Sequence, residues 1–164
     1  MKRIRKLNKN DASKMLLCLK DKDNLKFLLI GYFRYHLNDC VSFIENSKAD
    51  HSNKHFAIVD DNDEWVGTIS LKKIDYENKK AEYSIITDKA VRGKGYAEEA
   101  TKELFDFAFG QLGLHKIYLN VVSENERAIA FYKKCGFYFV GESRDSVILN
   151  GHYHNLKWFE IIGD

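Results

Sequence analysis

The chain has 164 residues, 45% hydrophobic and 30% charged, the composition of one ordinary globular domain long enough to bury most of its apolar surface. A formal net charge of +2, with acids interleaved among the lysines and arginines, argues against a nucleic-acid or anionic-membrane partner. No apolar run approaches the roughly 20 residues of a membrane span, and Met1-Lys2-Arg3-Ile4-Arg5 leads into no signal-peptide core, so a single cytoplasmic domain over residues 1–164 is expected.

In chain order, Lys2 to Leu7 alternates weakly, as an edge strand does, and Asp11 to Leu19 and Leu37 to Ser47 carry helical periods. The intervening Phe27 to His36 has no clear period. His55 to Val59, an Asp-Asp-Asn-Asp turn at 60–63 and Trp65 to Ile74 read as a hairpin. A second turn at Glu77 to Lys80 returns the chain into a strand over Ala81 to Thr87, which completes a three-strand meander. A helix from Tyr96 to about Gln111 places Ala97, Ala100, Leu104, Ala108 and Leu112 on one face. Lys116 to Val122 is β-rich, and the following helix has a capping-box pair, Ser123 and Glu126, with Gly136 as its stop. Phe137 to Leu149 and His152 to Ile161 flank Asn150-Gly151, the favoured type I′ turn, and the free edge of this hairpin offers a surface for a homodimer. Cys18, Cys40 and Cys135 lack metal or redox spacing and read as reduced packing thiols.

The chemistry concentrates at 91–97, Val-Arg-Gly-Lys-Gly-Tyr-Ala, between the Ala81 to Thr87 strand and the next helix. Glycines leave the backbone nearly bare, so amide N–H groups and the positive end of the helix can approach an anion, with Arg92 and Lys94 beside them. A dinucleotide fingerprint starting at Gly93 would need glycine where Glu98 stands, and a Walker loop would need Ser or Thr after Lys94, where Gly95 stands. The spacing that fits is Arg/Gln-x-x-Gly-x-Gly/Ala, met by Arg92, Gly95 and Ala97. The alternative is a glycine-rich turn with two solvated cations.

That loop resembles the acetyl-CoA signature of the GCN5-related N-acetyltransferase (GNAT) superfamily, and the run from Ser123 to Phe137 resembles the superfamily's second conserved region, in the same order. The likeness covers roughly residues 55 to 160. It implies an α/β fold: a central, mixed, mostly antiparallel sheet of about seven strands flanked by helices and splayed between strands 4 and 5. It also implies acetyl-CoA as co-substrate, held by Arg92, Gly93, Lys94, Gly95, Tyr96 and Ala97 at the pyrophosphate. Ile85, Ile86 and Thr87 would pair with the pantetheine as with an extra strand, and Asn125, Ala128, Tyr132 and Lys134 would face it from the helix.

By the same resemblance Tyr132 is the general acid for the departing thiolate, since a phenol with a reference pKa of about 10 keeps its proton at neutral pH. Periodicity alone reads Ala128, Phe131, Tyr132 and Cys135 as a core face; a packed ring whose hydroxyl reaches the site satisfies both readings. Glu82 is the candidate base, because Glu82, Ser84 and Ile86 share one strand face and an alkylamine with a reference pKa near 10.4 needs a proton acceptor. A solvated strand carboxylate is its alternative.

No metal is assigned: His152 and His154 share a strand face but have no third ligand at matching spacing. His36, His51 and His55 lie in the half of the chain expected to line an acceptor pocket. The run Leu114 to Leu119, with Glu124-Asn125 and the Asn150-Gly151 hairpin, looks most like the branch containing ribosomal-protein N-terminal and spermidine acetyltransferases. Asp21, Asp23, Asp39 and Glu45 could serve a polyamine, but they alternate with Lys20, Lys22, Lys26 and Arg34. The acceptor is therefore an amine, with a polyamine, a peptide N-terminus, an amino sugar and a small amine all open. A catalytically silent acyl-CoA-binding module is the non-enzymatic alternative.

Overall fold

The computed structural model describes residues 2–27 and 35–164. In chain order it comprises strand β1 (Ile4–Lys6), helices α1 (Ala12–Lys20), α2 (Lys22–Leu25) and α3 (Leu37–Ser47), and the meander β2 (Lys54–Val59), β3 (Trp65–Asp75) and β4 (Lys80–Thr87). Helix α4 (Tyr96–Phe105), strand β5 (Lys116–Val122), helix α5 (Glu126–Lys134) and the hairpin β6 (Tyr138–Leu149) and β7 (His152–Ile162) follow. Residues 28–34 of the unassigned Phe27 to His36 stretch, Arg34 among them, lie outside the described residues. No described helix is long and apolar enough to cross a membrane.

The strands form one seven-stranded sheet in the order β1-β2-β3-β4-β5-β7-β6, antiparallel throughout except for the parallel β4–β5 pair. Alternation along the strands splits the apolar residues between two helical layers. On one face Ile69, Leu71, Ala81, Tyr83, Ile117 and Leu119 pack with Ala100, Leu104 and Ala108. On the other, Ala57, Val59 and Trp65 pack with Met15 and Cys18 of α1 and Cys40 and Ile44 of α3. Leu104 and Ile44 are fully buried, each worth about 2 kcal/mol of transfer free energy. Beyond Phe105 the helix widens into π turns over Asp106–Gln111, and Phe105, Phe107 and Phe109 all rest against the first core.

The expected capping box at Ser123 does not form. Asn125 is the N-cap of α5, its Oδ1 accepting from the Ala128 N–H at 3.3 Å, while the Ser123 hydroxyl donates to Glu142 at 2.5 Å. Asn caps a helix as well as Ser does, and starting the helix two residues later moves Glu126 from its third position to its first. At the far end Gly136 adopts φ +98°, and Asn150 and Gly151 (φ +51° and +79°) make the tight turn that sets Leu149 opposite His152.

The feature that positions the site is a break in pairing. β4 and β5 pair only at Lys80–Lys116, Ala81–Ile117 and Glu82–Tyr118. Beyond that point β4 follows β3 as far as Thr87, and β5 follows β7 as far as Val122, so the two halves of the sheet diverge. Gly67 allows β3 to stay with β4 to its end: a Cβ there would stand 2.7 Å from the Ile86 carbonyl oxygen.

Candidate active site

A cleft of about 800 Å³ opens where the strands part, within the usual range for small-molecule sites. Ile85, Ile86 and Thr87 of β4 form one wall and Asn120, Val121 and Val122 of β5 the other. Helix α5 supplies Asn125, Arg127, Ala128, Phe131, Tyr132 and Lys134; the glycine loop and the start of α4 supply Arg92, Gly93, Gly95, Ala97 and Glu98. Asp23, Asn24, Lys26 and Phe27, from α2 and the residues after it, complete the lining. Past Glu82 the β5-facing edge of β4 has no strand partner, so its backbone groups are available to an extended ligand.

The loop has the geometry of an anion cradle. Gly93 and Gly95 sit at φ +78° and +82°, and no heavy atom lies within 4 Å of where either Cβ would be. Gly95 is the N-cap of α4 and brings no side chain to satisfy the first N–H groups of the helix, which leaves them without a capping side chain and available to an anion.

Tyr132 joins the cleft to the aromatic core. Its ring stands edge-on to Tyr83 (6.0 Å between centroids) and Phe137 (6.1 Å), yet the hydroxyl has no hydrogen-bond partner among the described residues. Burial pushes the phenol up to about 12, with Cys135 adding to the rise, so it is firmly protonated at neutral pH. Behind it Tyr83 and the Thr101 hydroxyl lie 2.8 Å apart, and Thr101 donates to the Ala97 carbonyl at 2.7 Å. The single Thr101 proton is thereby used, so Tyr83 donates to Thr101 and the chain of bonds ties the core to the cradle.

Ile85, Ile86, Thr87, Arg92, Gly93, Gly95, Ala97, Asn125, Ala128, Tyr132 and Lys134, all named from sequence, line this one cleft. Asn125 both caps α5 and faces the cleft. Lys94, Tyr96 and Glu82 are absent from the lining among the described residues. The Tyr96 ring turns away to lie 4.2 Å beneath the Arg3 guanidinium, because Arg3 is drawn to that place by Glu99 and Asp61. The Glu82 carboxylate bonds Lys73 at 3.0 Å and lies 3.8 Å from Lys72, since a bulge in β3 after Lys72 turns Lys73 toward it. The three histidines expected near an acceptor pocket are also outside the lining: His55 Nδ1 lies 2.6 Å from Ser70 Oγ, His51 accepts from Tyr76 through its carbonyl, and His36 caps α3. His154 Nδ1 lies 3.3 Å from Glu124.

Arg127, Phe131, Asn120, Asn24 and Phe27 carry no site role in the sequence reading, and Asp23 and Lys26 enter it only through the charge balance toward a polyamine. Arg127, Phe131 and Lys134 recur at helical spacing one step from the Asn125, Ala128, Tyr132 face, so Arg127 was within reach of the pattern. Nothing local to the segment 23–27 signals that it closes on the cleft.

The acetyltransferase (GNAT) family model matches residues 22–137, from α2 through the end of α5. The chain belongs to this family. It is 34% identical over 113 residues to spermidine N(1)-acetyltransferase of Vibrio cholerae, covering 69% of this chain and 65% of the relative. It is 39% identical over 106 residues to the enzyme of that name from Escherichia coli K12, covering 65% and 56%. The matched stretch thus spans under two thirds of either relative. A crystal structure of spermidine N-acetyltransferase from V. cholerae in complex with CoA and spermine superposes with a TM-score of 0.88 at 26% identity, covering 97% of this chain and 94% of that one. The parallel pair and splay fall where the family fold has them, in a mixed, mostly antiparallel sheet flanked by helices.

Proposed function

We propose that the chain is an acetyl-CoA-dependent N-acetyltransferase that transfers the acetyl group to a primary amine by direct attack. The observation that carries this reading is the single cleft in which an open glycine cradle, an unpaired strand edge and a protonated tyrosine face one another, in a chain of the GNAT family. Acetyl-CoA would supply the acetyl group as a thioester. Gly93, Gly95 and Ala97, with Arg92 and Lys134, would hold its phosphates by backbone N–H groups and positive charge. The β4 edge at Ile85 to Thr87 would align the pantetheine, and a backbone N–H there would stabilise the developing oxyanion.

Tyr132 would hold the proton destined for the departing sulfur: its hydroxyl is unclaimed and its pKa of about 12 keeps the proton in place until a thiolate develops. Glu82 is left out of the proposed machinery, because its carboxylate already balances Lys73 and Lys72 away from the cleft. Deprotonation of the amine would then rest with water, and the rate would follow the free-amine fraction upward with pH.

A polyamine is the second, narrower reading, favoured by the spermidine acetyltransferases among the relatives. Within this chain Asp21 is engaged by Lys89 at 3.0 Å and Glu45 by Lys48 at 3.1 Å, which leaves Asp23 as the cleft carboxylate without an ion pair among the described residues. The test is release of free CoA thiol, with mass spectrometry of the product, over spermidine, spermine, N-terminal peptides and amino sugars. Turnover on any amine supports the transferase. Tight CoA binding with no turnover on every amine would establish the silent binding module, and absence of CoA binding would refute both.

A further inference from the structure

The cations of the cleft do not all have a use in the reading above. Among the described residues the lining carries Lys26, Arg92, Arg127 and Lys134 against the carboxylates Asp23 and Glu98. Glu98 is taken by Lys134 at 2.9 Å. Arg92 Nη2 donates to Asn24 Oδ1 at 3.4 Å, and Lys26 lies 5.2 Å from the centroid of the Phe27 ring. Arg127 has no hydrogen bond or ion pair with any described residue.

Its place is specific. Arg127 stands in the first turn of α5, between Asn125 and Ala128, and shares the cleft with the glycine cradle and with Arg92. Partial desolvation, and then the charge of Arg92, loosen its hold on its proton, with Asp23 offsetting part of the effect. Arg92 and Arg127 line one cleft and neither is in an ion pair with a described residue, so an anion bound there would relax their mutual repulsion. The cradle's backbone N–H groups suit a diphosphate. A second anionic group on the same ligand needs cations of its own, and coenzyme A carries one: the ribose 3′-phosphate, a monoester with a charge of about −1.5 to −2 at neutral pH.

We propose that Arg127 reads the 3′-phosphate of the acyl-CoA donor and so makes the site selective for coenzyme A over its 3′-dephospho form. The assignment rests on the proposed function, and its test separates the two. Calorimetric titrations of CoA and of 3′-dephospho-CoA are run on the wild type, Arg127→Gln and Arg127→Lys. The side chain is exposed, so all three should fold alike, as circular dichroism would verify. The wild type should prefer CoA by roughly tenfold, Arg127→Gln should bring the two ligands to near parity by weakening CoA alone, and Arg127→Lys should restore part of the preference. Equal binding of both ligands by the wild type, or equal weakening of both in Arg127→Gln, would overturn the assignment while leaving the donor site intact. Binding of neither ligand to the wild type would instead remove the function on which it rests.

Discussion

Replacing Tyr132 with Phe deletes one oxygen and leaves the ring in place. The hydroxyl has no partner among the described residues, so no buried donor or acceptor is orphaned, and the edge-on contacts with Tyr83 at 6.0 Å and Phe137 at 6.1 Å are kept. Stability should change by less than about 0.5 kcal/mol. The kinetic effect should be far larger. An ordinary thiolate, whose thiol has a reference pKa of about 8.5, would be too weak a base to draw a proton from a phenol at about 12. Desolvation narrows the gap: Cys135, beside Tyr132, is itself pushed up to about 11 by burial. A sulfur leaving beside the same buried ring would be raised for the same reason, which brings its proton affinity toward that of the phenol and favours general acid catalysis. Tyr132→Phe should therefore lower kcat by roughly a hundredfold to a thousandfold, about 3–4 kcal/mol of barrier, with little change in the KM for acetyl-CoA. Thiol release with the best amine acceptor measures the rate, and a thermal melt measures stability. An unchanged kcat would refute the acid role; a large drop in melting temperature would show that the hydroxyl serves packing.

Gly95→Ala forces a side chain to φ +82° and should cost about 1 kcal/mol, a drop of a few degrees in melting temperature, while weakening CoA binding at least tenfold by titration; unchanged affinity would rule out the loop as the phosphate cradle. Gly67→Ala should be more damaging, by about 1–3 kcal/mol in denaturant titration, since its Cβ would meet the Ile86 oxygen at 2.7 Å and the Thr87 Cγ2 at 3.0 Å; the backbone must move, so affinity for CoA should fall with stability. His55 should make the fold pH-sensitive. Burial lowers its pKa from 6.5 to about 4, so between those values the unfolded chain binds more protons and stability falls as the pH falls, by up to roughly 2–3 kcal/mol. Melts from pH 7 to pH 4 should show this slope in the wild type and a flatter one in His55→Asn.

Where the periodicity is strong, sequence and structure agree closely: α3 spans the expected Leu37–Ser47, and the meander and closing hairpin appear with their turns. The cleft wall was legible wherever a residue's role is local, as at Gly93, Gly95 and Asn125, whose backbone conformation or capping is fixed within a few positions. It was illegible where a role depends on what the far end of a side chain meets. Tyr96 follows the glycines directly, yet its ring is held by Arg3 from the other end of the chain. Glu82 lies on the expected strand, but Lys72, its cross-strand partner, and Lys73, turned by the bulge that follows, engage it from the neighbouring strand. The capping box failed for a smaller reason, since Ser123 and Asn125 are both good caps and only the packed helix start chooses between them.

The proposed donor half of the site is readable from the sequence by itself: a bare glycine loop leading into a helix N-terminus, and a second helix with Asn125 and Tyr132 at the spacing of the family it resembles, are local patterns that need no partner to be read. The resemblance implied a splay between strands 4 and 5; the tertiary structure decided that it begins after Glu82 and Tyr118, which turns two motifs far apart in the chain into facing walls of one cleft. Pairing register is a property of two strands together. The same is true of the charge balance at Arg127, whose lack of an ion pair among the described residues is visible only once their carboxylates have been placed.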